Sequence, residues 1–444
     1  MSLRQLMKVA KVSGSALRPH IPDLVDALLE ALSSLESQQL SYLQLHAERL
    51  QVDTEKLEKA RVAASSGGSL HDTLDLCLRQ VDDSVMAELV PRLVSIVKSG
   101  VGLNTRVGVA KFISQLAMQN LLAIKPYSGT LIKTLLSTAP SDKSNVVRMA
   151  YYGAAATVAK FASDARVVNM IENAMEMYGK DNDYPLCGAI LLRERSRNAS
   201  DALGKNLTLV LPLAFVAKNN DDKEIASAMK EVWEDNTSSE SSFLQLYAPE
   251  IVAYICKGLD SSVWGKKKEA ADAIAHLAKV LKEDLVKYAG TLTEKLQADL
   301  VGRIWDGKDK LLVALGEIGL ACGSALVSQD SDVIVKMTTA ALSAMERKKL
   351  DFQLAAVNCI QSIYSSAEAK ADVHDAMPSS IVSQIAELGV VKLAEFYYVI
   401  LEMPKDGDDD EAEMKRKQAR KESIAVSVVQ ALLVSTFDKS CPSL

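Results

Sequence analysis

Aromatic side chains are scarce in this 444-residue chain, at 5% of positions, and histidine occurs only five times. A core drawn mostly from Ala, Leu and Val suits close helix packing better than a sheet sandwich. No two of the six cysteines, Cys77, Cys187, Cys256, Cys322, Cys359 and Cys441, are close enough for a CxxC pair. That excludes a disulfide framework or zinc ribbon read from spacing and leaves buried apolar thiols in a reducing compartment. A basic excess is also missing. The net charge is −6, whereas a nucleic-acid binder carries a basic stripe or patch, so no nucleic-acid partner is expected. The longest apolar run, Leu207 to Ala217, is interrupted by Pro212 and falls far short of the ~20 residues of a membrane span. No membrane insertion is expected.

Catalytic signatures are absent as well. The chain contains no phosphate-loop motif, no HExxH, no GxSxG and no kinase signature set. None of His20, His46, His71, His276 and His374 stands four residues from another, so no helical face offers a paired metal site. His276 reads as a structural histidine on an apolar helix. The expectation is a protein that is not an enzyme and that carries no cofactor and no metal.

Helical periodicity dominates what is present. Val85, Leu89, Leu93 and Val97, with Met86, Val90 and Val94 beside them, form one apolar stripe at the 3.6-residue period. Ala271, Ile274, Leu277, Ala278 and Leu281 form another. Clusters of Gly, Pro, Asn and Asp punctuate the chain at intervals of one helix and its turn. The helices come in pairs, with second helices expected to open near Asn104, Asn145, Tyr184, Asp221, Val263, Trp305 and Leu350. Steps of roughly 40 residues are those of HEAT and armadillo repeats, which predicts an all-α solenoid of antiparallel helix pairs. Asn104 and Asn145 are placed to cap their helices. A basic residue and then small residues follow, allowing close approach to a neighbour. Pro22, Pro126 and Pro249 sit in the first turns of first helices, and Pro91 falls later in its helix, where it can kink it.

The array is expected to run over residues 1–405, with a charged helix and a flexible Ser/Gly-rich insertion near 51–70. The N-terminal stretch has no acidic residue over its first twenty positions, in the manner of a transit peptide. It runs straight into Ile21-Pro22-Asp23, a helix start, and is read as the first helix of the array. A charged linker is expected over 406–423, where the acidic run Asp406–Glu413 precedes the basic run Lys415–Lys421, and a closing helix over 424–444. The basic run could serve as a nuclear localisation signal, or the acidic run could neutralise it.

Six residues stand out as candidate partner contacts. Lys266, Lys267 and Lys268 open a helix, where positive charge sits badly with the helix dipole. A solvated face is one reading of them and a partner is the other. Trp264 and Trp305 lie at the turns before successive second helices. Each plugs a junction between repeats, or the two are anchors on one ridge, since Trp is enriched in binding hot spots. Lys308 follows Trp305 in the same turn.

Four stretches resemble the proteasome-associated HEAT-repeat adaptor family, the long scaffolds that join the proteasome core particle to its regulatory particle. They are Ser69–Leu78, Leu89–Leu93 with Ser99–Gly108, Leu244–Tyr247 with Glu250–Val252 and Ser261–Trp264, and Arg303–Leu312. The second and fourth are specific, because generic HEAT repeats do not share them. The resemblance runs from about Leu17 to at least Cys322. Members of that family are much longer, so the chain looks like their C-terminal part. The resemblance implies no catalytic residues. It implies binding to the core and regulatory particles, an effect on their association and assembly, adaptor contacts to trafficking or degradation machinery, and a cytoplasmic and nuclear location. The rival readings are another HEAT scaffold, such as a nuclear-transport receptor or phosphatase scaffold, and an enzyme on a helical scaffold, which requires a pocket of convergent ionisable groups.

Overall fold

Helices account for every regular element that the computed structural model describes. The described residues are 3–34, 53–65, 67–180, 184–198, 206–329, 331–345 and 349–365, with isolated positions besides. Four helices open the chain: α1 (Leu3–Ser13), α2 (Ile21–Ser34), α3 (Thr54–Ser65) and α4 (Ser69–Leu78). First and second helices then alternate. The first helices are α5 (Asp83–Ser99), α7 (Ser128–Thr138), α9 (Asp164–Tyr178), α11 (Leu207–Ala217), α13 (Ala248–Leu259), α15 (Val286–Leu300) and α17 (Ser331–Met345). The second helices are α6 (Leu103–Gln119), α8 (Asn145–Val158), α10 (Tyr184–Asn198), α12 (Lys223–Asn236), α14 (Trp264–Leu281), α16 (Asp309–Gln329) and α18 (Leu350–Ser365). Each second helix begins at or within a few residues of its expected start. The fold is an all-α solenoid of helix pairs.

The chain divides into two units, Met1–Val210 with Asp222–Asn236, and Leu211–Asp221 with Thr237–Leu444, the boundary falling inside α11. In the first unit the second helices α6, α8, α10 and α12 pack in series. The first helix α5 packs on α6 and α7, and α7 on α8. The charged helix α3 packs on both α6 and α8, where Ser144 donates its hydroxyl to Glu58 at 2.6 Å. In the second unit α14, α16 and α18 form the series of second helices, and α13, α15 and α17 the series of first helices. Within a series, contact between like helices lets each pair bury the face its neighbour leaves open, the way repeat proteins build a core.

The apolar stripes read from the sequence are the buried faces. In α5, Val85, Met86, Leu89, Val90, Leu93 and Val97 are buried, and Val94 is half-buried. In α14 the stripe from Ala271 to Leu281 is buried, with Ala270 and Ala273 beside it. Alanines on the packed faces of α8 and α14 keep these helices close to their neighbours; Ala154, Ala155 and Ala156 are all buried. Burial pushes the Cys77 and Cys322 thiols up to about 12 by disfavouring the thiolate, so these are packing residues. Pro22 and Pro249 are second in α2 and α13, Pro126 lies in the turn before α7, and Pro91 and Pro212 lie inside α5 and α11. Among the described residues no single helix is long and apolar enough to cross a membrane.

Capping differs from expectation. Asn145 is the first residue of α8, and the cap is Ser144, whose hydroxyl accepts from the Val147 amide at 3.3 Å. Asn104 is buried inside α6, whose cap is Gly102. The sequence reading placed both caps one or two residues too late, because Asn, Ser and Gly all suit a helix start. Asp82 caps α5, accepting from the Val85 amide at 3.1 Å. The expected linker over 406–423, the closing helix over 424–444, His374 and Cys441 all lie outside the described residues.

Val147 is fully buried in α8, so Val147→Asp places an unpaired charge in the core of the first unit. The expected loss is about 3–5 kcal/mol, seen as a lowered unfolding transition and faster amide exchange across α6, α8 and α10. An unchanged transition would show that this face is not the packed one.

Candidate interaction surface

The turns from first to second helices carry the candidate residues, and in both units an ionic ladder ties these turns together. In the first unit Arg106, in the opening turn of α6, donates to the carboxylate of Asp142 in the next repeat's turn. Asp142 is nearly buried, at 5% side-chain exposure, and also accepts the Ser144 amide at 2.9 Å. Arg148, in the opening turn of α8, donates to the Asp142 carbonyl at 2.6 Å. One helix start is thereby tied to the turn that opens the next.

The second unit repeats the device with lysines. Lys267 donates to Asp299 and to the Leu259 carbonyl, both at 2.5 Å. Lys268 reaches back to Asp221 at 2.5 Å. Glu269, buried beside them, accepts from Asn220 at 2.6 Å. Lys295 pairs with Asp260, and Lys310 with Asp272 at 3.4 Å. The Asp221 carboxylate holds the Lys268 pKa above the usual lysine value. The unfavourable placement of Lys267 and Lys268 near a helix start is thus offset by the Asp299 and Asp221 carboxylates. Lys266 is half-buried.

The two tryptophans come together. Trp264 is the first residue of α14, and Trp305 lies in the turn before α16. Their rings stack with centroids 6.3 Å apart and planes 9° from parallel. Trp305 is 8% exposed and Trp264 53%. Neither sequence reading covers both rings: Trp305 is the plug, and Trp264 lies over it with a face open to solvent. Val263 and Val301 are exposed in the same pair of turns, which adds apolar surface to the turns that carry the stack.

Lys308, grouped on sequence with the partner contacts, is turned inward at 1% exposure. Its ammonium donates to the carbonyls of Val301 at 3.1 Å, Arg303 at 3.2 Å and Gly302 at 3.5 Å. Burial first, and then the nearby Arg347 charge, draw its pKa below the usual lysine value. A side chain so enclosed braces the turn and leaves nothing for a partner to touch. Gly307, at φ 90°, admits the bend, and a Cβ there would lie 2.7 Å from the Lys268 Cδ. This glycine therefore provides both the left-handed backbone and the passage for the Lys268 stem.

Sequence reasoning missed Asp221, Asp260 and Asp299, which lie one repeat apart along the chain. That recurrence at the repeat period is the signal that could have found them. Among the described residues no group of His, Cys, Asp and Glu side chains is placed to hold a metal ion. His276 lies 3.0 Å from Glu240, which Lys218 also contacts at 3.1 Å. Burial, together with the Lys218 charge, draws the His276 pKa down against the pull of Glu240.

Comparison with known proteins bears on what such a surface serves. Residues 17–179 match the model of the HEAT-repeat domain of the proteasome adapter and scaffold protein ECM29. The human proteasome adapter and scaffold protein ECM29 is 30% identical over 378 residues, which is 83% of this chain and 20% of that protein. This chain is a relative of the ECM29 adapters. The proteasome component ECM29 of Saccharomyces cerevisiae is 26% identical over 71% of this chain and 17% of its own length. The Drosophila melanogaster ECM29 homolog is 26% identical over the same shares. The chain thus spans about a fifth or less of the ECM29 proteins it matches. Among solved structures, Kap121p is similar at a TM-score of 0.38 and 11% identity, over 98% of this chain and 53% of that one, a level that bears on neither fold nor function. The stretches that carry the resemblance include the turns at Gly100–Gly102 and Ser261–Trp264, where the exposed Val101, Val263 and Trp264 reside.

Trp305→Ala removes a buried ring and is expected to cost about 3–5 kcal/mol. Trp264→Ala loses the stack and little burial, about 0.5–1.5 kcal/mol. Denaturant unfolding followed by amide exchange in α14 and α16 checks the pair; equal losses would contradict the division into plug and exposed face.

Proposed function

We propose that this chain is a non-catalytic, proteasome-binding part of an ECM29-type scaffold, contributing to the association of core and regulatory particles. The observation that carries the reading is the 30% identity to the human proteasome adapter and scaffold protein over 83% of this chain. A series of helix pairs supports it physically, because such an array presents a recurring row of turns along which weak contacts can be spread. In this reading a scaffold that holds two particles together raises the effective concentration of each for the other, so modest affinities suffice.

In the second unit Trp264 and its neighbours Val263 and Val301 supply the contact, since an exposed aromatic set on a braced turn matches the anchors that dominate binding energy. Lys266 lies beside them, while Lys267, Lys268 and Lys308 hold the turns in shape. Cytoplasmic and nuclear locations, and contacts to trafficking or degradation adaptors, belong to the same proposal and rest on the family relation alone.

The experiment is native electrophoresis of purified proteasomes titrated with the tagged chain, with core and regulatory subunits identified in the shifted band. A saturable shift is expected, with Trp264→Ala weakening it at least tenfold while leaving the fold intact. No shift with the folded chain at micromolar concentration would contradict the reading. A shift indifferent to Trp264→Ala would keep the proteasome as partner and remove the second unit's turn ridge as its contact.

A further inference from the structure

A groove of about 910 Å³ in the first unit crosses the three first helices α5, α7 and α9. Its apolar lining includes the half-buried Val94 and Leu136, and its ionisable lining is Lys98, Lys133 and Arg166, with no carboxylate. These residues fall at helical spacing on their own helices, so the groove is a built feature of the first-helix layer. All three cations are exposed, and none forms an ion pair among the described residues. Elsewhere in this unit Arg18, Arg92, Arg106 and Arg197 each meet a carboxylate. Asp164, Glu172 and Glu176, the acidic residues of α9, are not among the groove's lining.

Gly129 sharpens the contrast. A Cβ at that position would lie 1.5 Å from Nη1 of Arg166 and 2.1 Å from its Cζ. The absence of a side chain lets the guanidinium of α9 lie against α7, inside the groove. The Arg166 guanidinium thus lies against α7 with no ion-pair partner among the described residues, and a guanidinium so placed is suited to a bidentate carboxylate.

We infer that this groove is a docking site for a short acidic segment of a partner protein, one that sets an apolar side chain against Val94 and Leu136 and carboxylates against Lys133 and Arg166. Charge complementarity selects this occupant: three cations, no anion, and a chain that is otherwise net acidic. The apolar lining favours a peptide over a nucleic-acid backbone, which would use the cations and leave the half-buried Val94 and Leu136 uncovered. The site lies in the first unit and does not depend on the proteasome reading.

The test is a display library of random twelve-residue peptides panned against the whole chain, followed by fluorescence anisotropy of the enriched peptides. The expected result is enrichment of peptides combining Asp or Glu with Leu, Ile or Phe, whose affinity falls with salt and drops at least tenfold in Lys133→Glu/Arg166→Glu. Gly129→Ala, which displaces the guanidinium and removes no charge, weakens them by a smaller factor. Lys125→Glu/Lys160→Glu, a charge change outside the groove lining, leaves them unaltered. Enrichment of no acidic class, or acidic peptides that bind the groove double variant as well as the parent, would overturn the proposal. So would a twelve-nucleotide single strand that outcompetes the peptides. A requirement to replace Asp408, Asp409 and Asp410 with Asn before any peptide binds would also overturn it, by making the chain's own acidic run the occupant.

Discussion

The interaction on which the rest of the structure depends is the pairing of a cation in the first turn of a second helix with a carboxylate in the turn of an adjoining repeat. Arg106 with Asp142, and Lys267 with Asp299, run forward, while Lys268 with Asp221 runs back. A cation at a helix start opposes the macrodipole, so each of these residues is costly within its own helix. The cost disappears only when the neighbouring repeat is in register. Apolar burial alone is tolerant of sliding, and the ladder supplies the register. It also fixes the turns themselves, which are the parts of a helix-pair array that a large partner can reach.

This view separates residues that hold the surface from those that offer it. Lys308 braces the turn before α16 from within, Gly307 lets that turn bend past the Lys268 stem, and Trp305 fills the junction. What remains accessible is one face of Trp264 with Val263 and Val301 beside it. An anchor set on a braced turn loses little conformational entropy on binding, so even a small apolar ridge can contribute strongly. The basic groove of the first unit is built from first helices and is shaped by a missing Cβ at Gly129. The two features therefore differ in chemistry, one an apolar ridge and the other a basic groove.

Much of the fold was legible in the sequence, because apolar periodicity and recurring turns report directly on helix pairs. The openings of α8, α10, α14 and α18 were located to within a residue. The caps of α6 and α8 were misread, since Asn104 and Asn145 stand within two residues of the Gly102 and Ser144 that cap in fact. The site was legible only in outline. Trp264, Trp305 and Lys266–Lys268 were singled out, but their partners lie a repeat away, and no local pattern tells an outward lysine from one that crosses to the next turn. Lys308 was misplaced for that reason: its inward course depends on three carbonyls of a bent turn. The groove was invisible, because Gly129 and Arg166 come together only when α7 and α9 pack.

A double-mutant cycle on Arg106 and Asp142, read by equilibrium unfolding of the chain, tests the ladder most directly. If the pair sets the register between repeats, Arg106→Ala, Asp142→Ala and the double variant should show a coupling of about 1–3 kcal/mol, with raised amide exchange at the start of α8 in each single variant. Losses that add within about 0.3 kcal/mol, with exchange at α8 unchanged, would show that the repeats hold their register by apolar packing alone.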